Sequence, residues 1–213
     1  MLSIIQAAGW PIWPLIACSV LALALIFERF VALKTARVAP PKLLDEAITV
    51  STKTLPTPDV VNQLAQNSAL GEVLASGLRA FNNNPLCTEA DLRATMEGAG
   101  RTVAHRLEKY LNALATIASA APLLGLLGTV IGMIEIFGSQ VGTGGASQAM
   151  GGGNPAQLAH GISVALYNTG FGLAIAMPAL VAYRHFRALV DSFIIDMELQ
   201  AVKFVDVVHG ARK

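Results

Sequence analysis

Two stretches decide the fold: LNALATIASAAPLLGLLGTVIGMIEIF, Leu111–Phe137, and AQLAHGISVALYNTGFGLAIAMPALVAY, Ala156–Tyr183. From Leu111 to Tyr183 the chain holds one acid, Glu135, and otherwise no Asp, Glu, Lys or Arg. Each arm exceeds the roughly 20 apolar residues a helix needs to cross a hydrocarbon core. The connection, GSQVGTGGASQAMGGGNP (Gly138–Pro155), is uncharged and rich in glycine. The pair reads as a membrane hairpin with a flexible external turn. The turn is not a phosphate loop, because it lacks Gly-Lys-Ser/Thr and no strand precedes it.

Both arms carry small residues at helical spacing. Ala121, Gly125, Gly128 and Gly132 share one face of the first arm, with Pro122 nearby and Thr129 at its edge. Leu123, Leu126, Leu127, Val130, Ile134 and Phe137 fall roughly opposite. On the return arm Ala165, Thr169, Gly172 and Ala176 share a face. In lipid no hydrophobic force draws helices together, so small residues that let backbones approach are the natural contact. Two readings stand side by side. One is ordinary helix packing; the other is a pore or partner-binding face marked by Thr129 and Thr169. A threonine hydroxyl can also bond the preceding turn of its own helix.

Outside the hairpin, residues 1–27 carry no charged side chain, and Leu15–Phe27 is strongly apolar. Glu28 and Arg29 close this run, and Lys34, Arg37 and Lys42 follow. A cleaved signal has its basic residues before the apolar core, so this is an uncleaved first span. Trp10 and Trp13 suit its outer interface. Glu28 and Arg29 read as a snorkelling pair at its inner end. Basic residues also precede the second span (Arg93, Arg101, Arg106, Lys109) and follow the third (Arg184, Arg187, Lys203). The positive-inside rule then puts the N-terminus outside and the C-terminus in the cytoplasm.

The composition agrees: 54% of the 213 residues are hydrophobic and 14% charged, the profile of an integral membrane protein. A net charge of +1 argues against nucleic acid as a partner. Cys18 lies in a span and Cys87 in a loop, so neither a disulfide nor a metal site is expected. No nucleophile–base pair or cofactor fingerprint appears, and neither an enzyme nor a cofactor is expected.

The soluble part reads as helical. Pro40-Pro41 breaks the chain, and Lys42–Val50 forms a short amphipathic helix. Asp59–Phe81 is a further helix, weakened by Gly71 and Gly77. Asn82-Asn83-Asn84-Pro85 breaks it. Thr88 caps the next helix, with Asp91 in the third position of a capping box. That helix is predicted to run unbroken from about Glu89 to Phe137. The return helix starts at Pro155, capped by Asn154, and continues past Tyr183 with Leu189, Phe193, Met197 and Phe204 at near-heptad spacing. The expected fold is an all-α integral membrane protein with three transmembrane helices, two of them extended into a cytoplasmic helical stalk. Its parts are residues 1–34 (N-terminal segment and first span), 35–110 (cytoplasmic helical region), 111–138 (second span), 139–155 (external loop), 156–185 (third span) and 186–213 (cytoplasmic helix).

Polar groups inside spans are functional candidates. Glu135 could admit an ion or could make a boundary or intersubunit hydrogen bond. His160 and Tyr167 could pack between helices, line water or relay protons. Asn168, near the bilayer middle, needs a partner on another helix. No acid or lysine occupies the middle of a span, so the chain alone is a poor proton carrier.

In order along the chain, the Pro122, Gly125, Gly128, Thr129 core and the Thr-Gly-x-Gly-Leu of Thr169–Leu173 resemble the ExbB/TolQ/MotA proton-channel family, ExbB above all. The likeness is strong over Ala121–Phe186 and looser over the rest. It implies a bacterial inner-membrane location with a periplasmic N-terminus. It also implies a pentamer around a dimer of an ExbD-like single-span partner, whose membrane Asp supplies the missing acid. Thr129 and Thr169 would line the central pore facing that partner. Proton flow would drive relative rotation and act on a TonB-like protein. ExbB and TolQ usually carry a glutamate where this chain has Val164, so transport here cannot rest on an acid at that position. A TolQ-like unit for envelope maintenance and a non-conducting membrane scaffold are the alternatives. Three spans without inverted repeats or a mid-membrane charge argue against a stand-alone transporter.

Overall fold

The structure, a computed structural model, describes residues 10–53, 57–84, 87–142 and 155–210. Among them it is all helix: α1 Ile12–Ala32, α2 Thr35–Val38, α3 Leu43–Lys53, α4 Pro58–Asn67, α5 Ala69–Asn83, α6 Glu89–Glu108, α7 Leu111–Gly142 and α8 Pro155–Gly210. Three of the stretches are long and apolar enough to cross a membrane: Ile12–Ala32, a window within Glu89–Glu135 and one within Gly161–Val208. The chain divides into two compact units, Met1–Phe27 with Asn112–Arg184, and Glu28–Leu111 with His185–Lys213.

The first unit holds the hairpin arms and most of the first span. Its buried centre is Leu15, Ala121 and Ala176, with Leu124 and Ile175 packed on it. Small residues inside and large ones outside invert the pattern of a soluble core. Leu123, Leu126, Leu127, Val130, Ile134 and Phe137 are all exposed, as are Val20, Leu21, Leu23 and Phe27 of α1. So continuous an apolar surface on a folded unit is what a bilayer or a neighbouring membrane helix covers.

The second unit has an ordinary side-chain core. Leu70, Leu74, Leu78 and Phe81 of α5 are buried with Met96 and Val103 of α6 and Phe193, Met197 and Phe204 of α8. Gly77 lets α5 approach α6, since a Cβ there would stand 2.7 Å from the Met96 sulfur.

Two long helices expected from the sequence are broken. Asp59–Phe81 is two helices, because Ser68 is extended (φ −160°, ψ 168°) and caps α5, accepting from the Gly71 N–H at 3.0 Å. Gly71 is required at this turn: a Cβ would overlap the Leu64 carbonyl oxygen, only 2.1 Å away. Ser68→Ala removes a buried cap and is expected to cost about 1 kcal/mol, readable by thermal unfolding in detergent.

The run from Glu89 to Phe137 is also two helices. Lys109 turns extended (ψ 138°) and Tyr110 adopts φ 69°, so α6 stops at Glu108 and α7 starts at Leu111. No glycine or proline marks the break, which is why the sequence pattern runs straight through it.

The start of α6 is as read. Thr88 accepts from the Asp91 N–H at 3.2 Å, and Asp91 accepts from the Thr88 hydroxyl at 2.7 Å and its N–H at 3.2 Å. The Thr88 side-chain bond, then the backbone bond, hold the Asp91 carboxyl below its ordinary 3.8. A lowered carboxyl pKa contributes stability that is present above the unfolded value and lost as pH falls through the folded one. Amide exchange at the first turn of α6 is therefore expected to quicken selectively below about pH 3.8.

Candidate functional site

The hairpin contact gathers most of the residues singled out in the spans. Glycines mark the meeting points, and at Gly125 and Gly172 backbone approaches backbone. A Cβ on Gly125 would lie 2.8 Å from the Asn168 carbonyl oxygen and 3.1 Å from the Thr169 Cα. One on Gly172 would lie 2.6 Å from the Ala121 carbonyl oxygen and 3.2 Å from the Gly125 Cα. Gly128 faces the Asn168 side chain, whose Cβ and amide nitrogen would both be 2.9 Å away. Gly132 is looser, 3.8 Å from the Ala165 Cβ. Ala121 and Ala165 are buried beside these glycines.

Asn168 is the most buried polar side chain here, at 1% exposure. Its amide sits in the space that a side chain at Gly128 would fill, so the glycine and the asparagine are one fitted pair. A buried amide in a span is costly to place in lipid; here α7 covers it.

The two threonines differ. The Thr129 hydroxyl donates to the Leu126 carbonyl of its own helix at 2.6 Å. The Thr169 hydroxyl reaches across the hairpin to the Gly125 carbonyl at 3.5 Å, the long limit of a hydrogen bond. Both keep partial exposure at the edge of the contact. Pro122 is also half-buried there, inside α7.

Glu135 and Tyr167 are exposed and outside the contact. The side chains of His160 and Val164, and residues 143–154 of the external loop, lie outside the described residues.

The sequence marked Arg29, with Glu28, as a snorkelling pair, and the structure corrects that reading. Arg29 does not snorkel: its side chain is only 6% exposed, against 44% for Glu28. Its guanidinium donates to the Glu28 carboxylate and, at 2.9 Å, to the Leu107 carbonyl in the last turn of α6. It also lies 5.2 Å from the centre of the Tyr110 ring. The last carbonyls of a helix have no partner within the helix, and a buried cation at that end answers both the hydrogen bond and the dipole.

Residues 65–199 match the MotA/TolQ/ExbB proton channel family. An ExbB-like biopolymer transport protein of Synechocystis sp. is 30% identical over 83% of this chain, which spans 66% of that relative. The biopolymer transport protein exbB1 of Vibrio cholerae is 32% identical over 82% of this chain and 74% of its own length. The Tol-Pal system protein TolQ of Pseudomonas aeruginosa is 30% identical over 92% of this chain and 84% of its own. Three candidate spans and this kinship point to a bacterial inner-membrane protein. The chain belongs to the MotA/TolQ/ExbB proton channel family.

Proposed function

We propose that this chain is the ExbB-like scaffold subunit of a proton-motive-force-driven motor in the bacterial inner membrane. With an ExbD-like single-span partner it energises TonB-dependent outer-membrane transport. The N-terminus is periplasmic, the C-terminus cytoplasmic, and residues 1–34, 111–138 and 156–185 carry the spans. The observation that carries the reading is a close-packed glycine hairpin with threonines at its edge and no acid among the buried residues of the contact. Threonine and asparagine orient water but do not hold a proton at ordinary pH. A titratable group must therefore come from elsewhere, and an aspartate on a partner helix held by a ring of about five copies supplies it. Thr129 and Thr169 line that helix's path, and Glu135 stands near the outer end of α7, where an ion is admitted.

Thr129→Val together with Thr169→Val tests this. Both substitutions keep the branched shape and remove the hydroxyl. The expected result is normal expression and assembly with at least a tenfold loss of energy-dependent uptake in a deletion strain. Unchanged uptake would sink the pore assignment and leave a non-conducting scaffold.

The breadth of the TolQ match supports a second reading, envelope maintenance with a Tol-like partner. Complementation of strains lacking either system separates the two. Restored siderophore uptake favours the first, and restored detergent resistance favours the second.

A further inference from the structure

The break between α6 and α7 is not written in the residues that form it. A helix that ends on a left-handed residue usually places glycine or asparagine there; this chain places Tyr110, at φ 69°. The Cβ of a non-glycine residue crowds the backbone in that region. Lys109, just before it, is a good helix former, and tyrosine is tolerated in helices. By local preference residues 108–111 would continue as helix.

What opposes that preference comes from α1. In an unbroken helix the Leu107 carbonyl accepts from the N–H four residues on, that of Leu111. Here it accepts from Nη1 of Arg29 at 2.9 Å. The other guanidinium nitrogens, Nε and Nη2, are held by the Glu28 carboxylate, which fixes the head against the carbonyl. The Tyr110 ring faces two cations, with the Arg29 guanidinium 5.2 Å and the Lys109 ammonium 4.8 Å from its centre, and both attractions favour the conformation that brings it there. The helical register is already lost one residue earlier: the Lys109 N–H donates to the Arg106 carbonyl, three residues back, at 3.3 Å. All of these groups belong to the second unit.

We propose that Arg29 is a latch that selects between two states of this joint. With the guanidinium on the Leu107 carbonyl, the helix is broken at Lys109 and Tyr110. With it withdrawn, the carbonyl takes the Leu111 N–H, Tyr110 returns to the right-handed region and α6 runs on into α7. The two states exchange one donor for another at the same acceptor, and a strained residue for an unstrained one. A conformational change needs a differential interaction of this kind. The controlling group sits on a different helix from the joint. A displacement of the inner end of α1 is therefore converted into a change of backbone at residues 109 and 110. The latch is a property of this chain alone and stands independently of the motor reading.

The full-length chain, labelled with carbon-13 tyrosine and placed in lipid nanodiscs, gives three tyrosine signals, from Tyr110, Tyr167 and Tyr183. Tyr110→Phe identifies the first. Its Cα and Cβ chemical shifts distinguish left-handed from right-handed helical backbone. The wild-type Tyr110 signal is expected in the left-handed position. In Arg29→Met it is expected to move to the helical position of Tyr167 and Tyr183, which lie within α8 and stay where they are. A folded Arg29→Met chain whose Tyr110 remains left-handed overturns the latch, as does a wild-type Tyr110 that is already helical. Should Arg29→Met fail to accumulate, its combination with Tyr110→Gly decides. Glycine enters the left-handed region without a Cβ clash, so the break no longer needs Arg29, and the folded yield is expected to return to that of Tyr110→Gly alone. No recovery overturns the proposal. None of these measurements reads energy-dependent uptake, so their failure leaves the motor reading intact.

Discussion

Gly172→Leu is expected to prevent the membrane hairpin from closing. A Cβ at this position would stand 2.6 Å from the Ala121 carbonyl oxygen and 3.2 Å from the Gly125 Cα. Both are backbone atoms of α7, which cannot step aside as the end of a side chain can. Alanine alone brings that overlap, and overpacking of a close-packed contact costs about 1–3 kcal/mol. The gain from replacing a helical glycine, at most about 1 kcal/mol, does not offset it. Leucine adds three more carbons and forces the helices apart, uncovering Asn168, now 1% exposed. Gly170 is the control: a Cβ there meets nothing within 4 Å, so Gly170→Ala is expected to be neutral or slightly stabilising. Thermal unfolding in detergent reads all three, in the order Gly170→Ala, Gly172→Ala, Gly172→Leu from most to least stable. Equal stability of Gly170→Ala and Gly172→Ala would mean that the hairpin does not close on its glycines.

Arg29→Met is expected to lower stability by about 1.5–3 kcal/mol, the range for a hydrogen bond made by a charged group. Methionine keeps much of the apolar stem, so packing changes little. What goes is the donor to the Leu107 carbonyl and the cation beside Tyr110. The break it supports is itself unfavourable. A non-glycine residue in the left-handed region costs roughly 1–2 kcal/mol, and Tyr110 stands there at φ 69°. Arg29→Lys keeps the charge but loses the fork, and is expected to fall between wild type and Arg29→Met. A double cycle with Tyr110→Leu isolates the ring contact, expected at about 0.5–1 kcal/mol. An Arg29→Met protein as stable as wild type would mean that Arg29 is a passive interfacial cation.

Much of the membrane half was legible before any coordinates. Leu123, Leu126, Leu127, Val130, Ile134 and Phe137 read as the outer face of α7 and are exposed; Ala121, Gly125 and Gly128 read as the inner face and are buried. A helix repeats on a fixed period, so a pattern of sizes declares its faces. The capping box at Thr88 and Asp91 was legible for the same reason, being a contact between residues three apart.

The sequence by itself determined the helical class, the three apolar stretches, their faces and the family. All of these follow from periodicity, length and local motif. Only the tertiary structure decided the breaks at Ser68 and Lys109-Tyr110, the burial of Arg29 and the seating of Asn168 against Gly128. Each depends on an atom in another helix. Gly71 must clear the Leu64 carbonyl of another helix, Arg29 bonds Leu107 across 78 positions, and Asn168 needs the space that Gly128 leaves 40 residues earlier. Hydrogen bonding and exclusion of this kind depend on distance in space, and spacing along a sequence does not encode it.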